Sequence, residues 1–564
     1  MDQITLDILW NRLIATVNEQ AAALMRSSFT SIVREAGDLS AGVFDCRGRM
    51  VAQAVTGTPG HINSLATGMI HILERFPADS LVPGDVLITN DPWKTASQLN
   101  DITIATPIFS SHKLVAFCVN CCHALDIGGR GLSADSRSVY EEGLFIPVMK
   151  LYEVGKPVEA IFEFLSANVR TPEEVHGDIH SQIVGNNVGG KQLLAFLNEF
   201  GLADIESLAD EIIGRTEKGM RDRIRALSDG EYRIKLTIDG FDAPVVINTR
   251  IIIDDDELTV DFEGSSGAVP QGINVCLNYT RAYTTYGIKC VISPDIPNNE
   301  GSFKPITVTA PPGSILNARH PSAVGGRHLV GHFLPSAVMG AFAQALPERV
   351  MAPGFDGLWD THIAGVERGT GKHFSFTWFS AGGAGALKDQ DGLSATAYPS
   401  GIAGVPAEVI ETLAPLVIRR RELRADSGGP GTFRGGLGQT MEIEVLTDEP
   451  YLFNGLYERI NFPAPGLHGG KQGQTGRLLT SNRAELKSKI SCRLPEDTVV
   501  TLEMPGGGGF GSPMQRDPMR VLNDVRNGYV TPTSASKDYG VVIDTERWEI
   551  DGSATKELRH QMTE

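Results

Sequence analysis

Apolar residues recur every three to four positions through the first thirty residues: Leu6, Leu9, Trp10, Leu13, Ile14, Val17, Leu24 and Met25. That period predicts an amphipathic helix with one buried face. Asp2 and Asp7 near its start suit the positive end of the helix dipole. The same spacing returns at Leu65, Met69, Ile72, Leu73 and Phe76, predicting a second helix from about Asn63 to Phe76. A long charged helix is expected from Ala203 to Leu227. Between the helices the period shortens. Strand-like pieces lie within the polar segment Arg34 to Ala52, and "VPGDVLITND" reads as a Pro-Gly turn followed by a short strand. Two further strands, Ile102–Phe109 and Lys113–Cys122, are joined by Ser-Ser-His and read as a hairpin. Residues 230–263 alternate apolar and polar, with Asp254-Asp255-Asp256 at a turn, which predicts an antiparallel meander.

These elements imply a mixed α/β (α+β) chain of several domains, with antiparallel sheets and packed helices. We expect an N-terminal α/β region (1–200), a helix plus β-meander (201–265), a central α/β region (266–420) and a C-terminal glycine-rich β region (421–564). A length of 564 residues accommodates such an organisation. The net charge of −18 argues against nucleic acid or an anionic membrane as partner. No apolar run approaches ~18 residues, so no membrane span is expected. The seven cysteines are sparse and unpaired in pattern, which fits a reduced, cytoplasmic setting. Cys118, Cys121 and Cys122 would suit zinc, but no second thiol pair follows and the segment reads as a strand. Buried strand cysteines are the expectation.

The chemistry-bearing residues cluster locally. His123 and Asp126 follow the hairpin's second strand, and Asp101 opens its first. Hairpin pairing brings the start of one strand beside the end of the next. An imidazole with carboxylates is a suitable ligand set for zinc, manganese or iron. Equally, His123 could be a satisfied turn histidine and Asp126 the cap of the glycine loop that follows. Glu35 and Asp38 are further acids in a polar loop. His61 follows Pro59-Gly60 as a cap for the second helix, and Glu141-Glu142 reads as an exposed turn. Glycine clusters at 426–438 and 505–513 lack G-x-x-x-x-G-K-[ST] and are read as tight turns rather than phosphate loops. No G-x-S-x-G elbow is present.

Read in order, several segments resemble the hydantoinase B/5-oxoprolinase family: "GDLSAGVFDCRGRMVAQ" (37–53), "GDVLITNDPW" (84–93), "LNDITIATPIF" (99–109), "HALDIGG" (123–129), "EEGLFIP" (141–147), "RELRADSGGPGTFRGGLG" (421–438), "PGGGGFGSPMQRDPMRVLNDVRNG" (505–528) and "YGVV" (539–542). The resemblance implies one subunit of an ATP-dependent cyclic-amide hydrolase acting on a hydantoin, 5-oxoproline or lactam ring. ATP and Mg would be handled by a hydantoinase A-type partner subunit in a hetero-oligomer. That partner phosphorylates the amide oxygen, and the B-type subunit completes hydrolysis at a divalent metal (Zn, Mn or Fe). Related complexes carboxylate ketones of the acetone or acetophenone type, and a metal-free scaffolding subunit is a further alternative. The resemblance also implies Asp38, residue 98, Asp101, His123 and Asp126 as the metal set, with Glu142 and Asp101 as catalytic candidates. One departure stands out. The family pattern Thr-His-Leu-Pro-Asp is Ser97-Gln98-Leu99-Asn100-Asp101 here, so glutamine replaces a histidine ligand. A neutral amide oxygen is a poor ligand for such metals.

Overall fold

The structure, a computed structural model, describes residues 2–563. Its first helix, α1 (Gln3–Ser27), is the one the opening period predicts, and Asp2 caps it by accepting from the Thr5 N–H at 3.0 Å. The chain continues through α2 (Ser31–Arg34), β1 (Leu39–Phe44), β2 (Met50–Gln53), α3 (Pro59–Arg75), β3 (Val86–Thr89), β4 (Asp101–Ser110), β5 (Lys113–His123), β6 (Met149–Glu153), β7 (Lys156–Pro157), α4 (Glu159–Asn168), α5 (Pro172–Glu199) and α6 (Glu206–Arg225). The strands form one seven-stranded antiparallel sheet in the order β2-β1-β5-β4-β3-β6-β7.

Both faces of this sheet are covered, which explains the near-continuous apolar run of β5. Phe117, Val119 and Cys121 join the cluster built on Ile62, Leu65, Met69 and Ile72 of α3. Cys118 and Cys122 join the opposite cluster, with Leu13, Val17 and Leu24 of α1. The three cysteines are thus buried strand residues, as expected, and burial pushes the Cys118 thiol up to about 12.

Helix α5 has no counterpart in the expected elements. Its glycines obscure it, and they are there for close approach. A Cβ at Gly177 would lie 2.3 Å from the Phe29 ring, and one at Gly190 would lie 2.6 Å from Ile108. Polar residues then pin α1 and α5 to the sheet. Asn186 Oδ1 accepts from Gln20 Nε2 and Asn120 Nδ2, both at 2.8 Å, and Asn186 Nδ2 donates to the Ile104 carbonyl at 3.1 Å.

The expected meander is present as β8 (Gly230–Ile238), β9 (Val245–Asp254) and β10 (Glu257–Asp261). After α7 (Leu277–Ile292), β11 (Ile306–Thr309) extends that sheet by pairing in parallel with β10, which the alternation did not reveal.

The chain divides into two compact units. The first comprises Met1–Lys235, Ile247–Val338 and Ser400–Ala403; the second comprises Leu236–Val246, Met339–Pro399 and Gly404–Glu564. Residues 266–420, read from the sequence as one central region, contribute to both. The second unit holds two four-stranded antiparallel sheets. One runs β13-β12-β16-β18, with β12 (Trp359–Val366), β13 (His373–Ser380), β16 (Tyr451–Leu456) and β18 (Lys489–Leu494). The other runs β14-β15-β19-β17, with β14 (Leu416–Leu423), β15 (Gln439–Val445), β17 (Arg477–Thr480) and β19 (Val500–Glu503).

The glycine clusters in the second unit correct the tight-turn expectation. Gly506, Gly507, Gly508 and Gly509 do not adopt positive φ. They are threaded backbone against backbone: Gly507 N–H donates to the Gly436 carbonyl at 3.0 Å, and Gly429 N–H donates to the Gly507 carbonyl at 2.8 Å. A Cβ at Gly383 would sit 1.9 Å from the Gly436 oxygen. What these positions require is space rather than a turn conformation. Among the described residues, no helix is long and apolar enough to cross a membrane.

Candidate active site

Three neighbouring strands of the seven-stranded sheet bring acids and an imidazole to one edge. Asp101 opens β4 and is the register partner of His123, the last residue of β5. Leu39 of β1 pairs with Cys122, which places Asp38 beside His123; the His123 N–H donates to the Asp38 carbonyl at 3.2 Å. The side chains follow the strands. His123 Nδ1 lies 3.0 Å from Asp101 Oδ1 and 3.9 Å from Asp38 Oδ2. Asp38 also accepts from the Thr58 hydroxyl at 3.0 Å.

A second imidazole comes from the start of α3. His61 Nε2 lies 3.2 Å from Asp101 Oδ2, and His61 Nδ1 lies 3.7 Å from Asp38 Oδ1. The expectation that His61 caps the helix is therefore corrected. Its ring turns inward because Gly60 lets α3 approach α7. A Cβ at Gly60 would lie 2.5 Å from the Tyr279 ring and 2.6 Å from that of Tyr283.

The cation of the site is Arg327. Its Nη2 donates to Asp101 Oδ2 and its Nη1 to Gln98 Oε1, both in very short contacts. Its Nε donates to the Ala96 carbonyl at 2.7 Å, and its guanidinium lies 4.4 Å from the centre of the Tyr279 ring. Gln98 uses its other end too, donating from Nε2 to the Gly325 carbonyl at 2.7 Å. Asp101 is fully buried. Burial alone would raise its pKa, but the Arg327 charge, with His61 and His123, outweighs it and holds the carboxyl far below the usual range. Burial opposes charge on His123, yet the hydrogen bond to Asp101 and the Asp101 and Asp38 charges carry its pKa upward. His332 accepts or donates at 3.2 Å with the Tyr279 hydroxyl; burial, with His328, Arg327 and His61 nearby, holds it well below the usual imidazole range.

Because Asp101 is ionised, the imidazole nitrogens that face it carry protons. They hold that carboxylate as donors and do not offer lone pairs there. Two other ring nitrogens, His61 Nδ1 and His332 Nδ1, are buried with no hydrogen-bond partner. Such atoms are costly unless water or a substrate group meets them.

The sequence candidates fall into two groups. Asp38, Gln98, Asp101 and His123 converge on the site just described. Asp126 does not share these bonds: it accepts from the Gly128 N–H at 2.9 Å and pairs with Arg170 at 2.7 Å. Glu35 pairs with Arg34 at 3.0 Å. Glu142 corrects the exposed-turn expectation, since it is buried. Its Oε1 accepts from the Val324 N–H at 2.9 Å and the Gly325 N–H at 2.7 Å, on the loop that carries Arg327. Desolvation outweighs those two bonds and pushes the Glu142 carboxyl up to about 7.

As arranged, this donor set does not fit a divalent ion. Asp101 Oδ2 and Gln98 Oε1 are both taken by the guanidinium. Among the described residues, no group of three or more His, Cys, Asp or Glu side chains is placed to hold a metal.

His61 and Arg327 are the site residues that sequence reasoning missed. Weak signals existed. Thr58-Pro59-Gly60 leads into an apolar helix, and Gly325-Gly326-Arg327-His328 puts a basic residue after paired glycines. Neither shows which distant strand it meets.

The comparisons with known proteins agree with this geometry. The chain is 30% identical to a Pseudomonas sp. (strain NS671) protein named as a putative B-type subunit of a D-/L-hydantoinase, covering 99% of this chain and 98% of that one. It superposes on the ATP-dependent caprolactamase from Pseudomonas jessenii with a TM-score of 0.90 and 29% identity, covering 99% of this chain and all of that one. A nucleotide-free acetone carboxylase shares the fold, with a TM-score of 0.87 at 21% identity, over all of this chain and 83% of that one. Residues 2–513 match the hydantoinase B/oxoprolinase family, and the chain belongs to it.

Proposed function

We propose that this chain is the B-type subunit of an ATP-dependent cyclic-amide hydrolase, acting with an A-type subunit that handles ATP and Mg. The observation that carries the reading is the buried His61–Asp101–His123 cluster with Arg327, in a chain that matches ring-opening relatives along its whole length. The lack of G-x-x-x-x-G-K-[ST] is consistent with phosphorylation of the amide oxygen elsewhere.

The chain's own residues then supply the second half of the reaction. Asp101 orients both imidazoles through their N–H groups. In the neutral ring, His61 Nδ1 carries a lone pair without a partner, so it can take the proton of an attacking water as a general base. Arg327 spends one N–H on each terminal nitrogen and Nε on protein acceptors. The remaining two N–H groups can meet the oxygen where negative charge develops. Glu142 acts at one remove by holding the amides of Val324 and Gly325, which fixes the loop bearing Arg327.

The test is reconstitution with an A-type subunit and a panel of cyclic amides and ketones, each with ATP, with and without bicarbonate. ATP-dependent ring opening that needs no bicarbonate, and that Asp101→Asn abolishes, is expected. Bicarbonate-dependent ketone carboxylation would replace this reading with a carboxylase. Full activity in Asp101→Asn would leave the chain a scaffold for its partner's site.

A further inference from the structure

We propose that Arg327 is the resident cation of this site, seated there by Gln98, and that the cluster of Asp38, His61, Asp101 and His123 works without a divalent metal. The proposal extends the hydrolase reading by naming the charge that the site uses.

Two buried carboxylates, Asp38 and Asp101, converge on one point, and a buried anion persists only with a counter-cation or a full set of donors. The chain supplies that cation itself. Arg327 and Asp101 are both buried, and the guanidinium is anchored on three sides: to Asp101, to Gln98 and to the Ala96 carbonyl. The Tyr279 ring covers it at 4.4 Å. A planar, permanently charged fork fixed in this way is not a side chain waiting to swing aside.

Gln98 is the residue that makes the arrangement possible. Its amide oxygen accepts from the guanidinium while its amide nitrogen donates to the Gly325 carbonyl, two residues before Arg327. One side chain thus holds both the charge and the loop that delivers it. An imidazole there cannot reproduce this pair of bonds, because its nitrogens are set apart on a rigid ring. In its neutral form it offers a lone pair suited to a metal. Meanwhile a divalent ion approaching Asp101 Oδ2 would meet the guanidinium already bonded to that oxygen, with like charges in contact.

The bland alternative is that Arg327 merely locks the fold and yields Asp101 to a metal when one is present. Metal analysis separates the two without relying on turnover. The full chain, purified with its partner without chelators, is measured for zinc, manganese and iron, then titrated with zinc and with manganese. The expected result is no stoichiometric ion, and no saturable zinc or manganese binding that Asp38→Asn removes. One zinc, manganese or iron per chain that Asp38→Asn releases would overturn the proposal.

A second measurement uses the double substitution Gln98→His with Arg327→Met. It should bind zinc more tightly than the parent by on the order of 100-fold. A folded double variant with zinc affinity no greater than the parent's would refute the claim that these two residues exclude the metal. Should the double variant fail to fold, the parent's metal content still decides. Absence of ATP-dependent turnover in the parent would count against the hydrolase reading alone, because the metal measurements do not depend on activity.

Discussion

Glu142→Gln should change the pH dependence of stability in a defined direction. An unfolded glutamate titrates at about 4.5, whereas the buried Glu142 carboxyl titrates at about 7. Between those values the native chain holds a proton that the unfolded chain has released. Native stability therefore falls as pH rises through this window, and the loss is complete once pH exceeds the folded value. The interval converts to about 3 kcal/mol. Glutamine has nearly the same shape, and its Oε1 can still accept from Val324 and Gly325. It cannot ionise, so it escapes the loss. Urea unfolding of both proteins at a series of pH values from 4.5 to 8 measures the difference. Hydrogen exchange on the peptide bearing Val324 and Gly325 identifies the transition to which it belongs. Relative to Glu142→Gln, the parent should lose about 3 kcal/mol across the series. A difference that stays constant with pH would refute both the burial argument and the role given to those two amides.

Three further outcomes are expected. His61→Ala should lower ATP-dependent turnover of the reconstituted complex by roughly 100- to 10,000-fold with an unchanged circular dichroism spectrum; an undiminished rate would remove His61 from proton transfer. Asn186→Leu takes the shared acceptor from Gln20 and Asn120 and the donor from the Ile104 carbonyl, and should cost roughly 2–4 kcal/mol in urea unfolding; a parent-like midpoint would show that the network adds no net stability. Gly383→Ala places a methyl group 1.9 Å from the Gly436 oxygen, so the second unit should melt well below the parent or fail to accumulate; a parent-like melting temperature would mean that the glycine threads can spread apart.

The legible parts of the fold are those with a single apolar face or a clean alternation. α1, α3 and α6 each bury one stripe, so their periods survive in the sequence. Helix α5 does not show this pattern. It lies between α1 and the sheet, with glycines where its neighbours come closest, and a scan for propensity penalises those same glycines. The cluster around Gly507 misled for a related reason. Glycine in sequence signals a turn or a phosphate loop, whereas here it signals the absence of room for a side chain. Even the resemblance segments "RADSGGPGTFRGG" and "MQRDPMRVLNDV" prove to be packing partners. Asp426 accepts from Thr531, Arg516 bridges Asp391 and Asp524, and Arg434 lies 3.6 Å from Asp524.

The candidate site divides along sequence separation. Asp101 and His123 were legible together because a hairpin register needs only two adjacent strands and a short turn. Asp38 joins them through the next strand over. His61 and Arg327 come from a helix start and a distant loop, with 226 positions between Arg327 and Asp101, and no local pattern encodes such a meeting. Yet the hairpin already implied that something else had to arrive. Carboxylates gathered in a dry site require positive charge, and a sequence reading offers two ways to supply it, a bound metal or a basic side chain from elsewhere. Glutamine at position 98 is the local sign of the second. It withdraws an imidazole from the cluster and adds an amide oxygen suited to a guanidinium, and the structure seats Arg327 on that oxygen. The search that would have found Arg327 from sequence is therefore a search for a basic residue in a glycine-rich loop, begun from the charge deficit at Asp101 rather than from any motif around Arg327 itself.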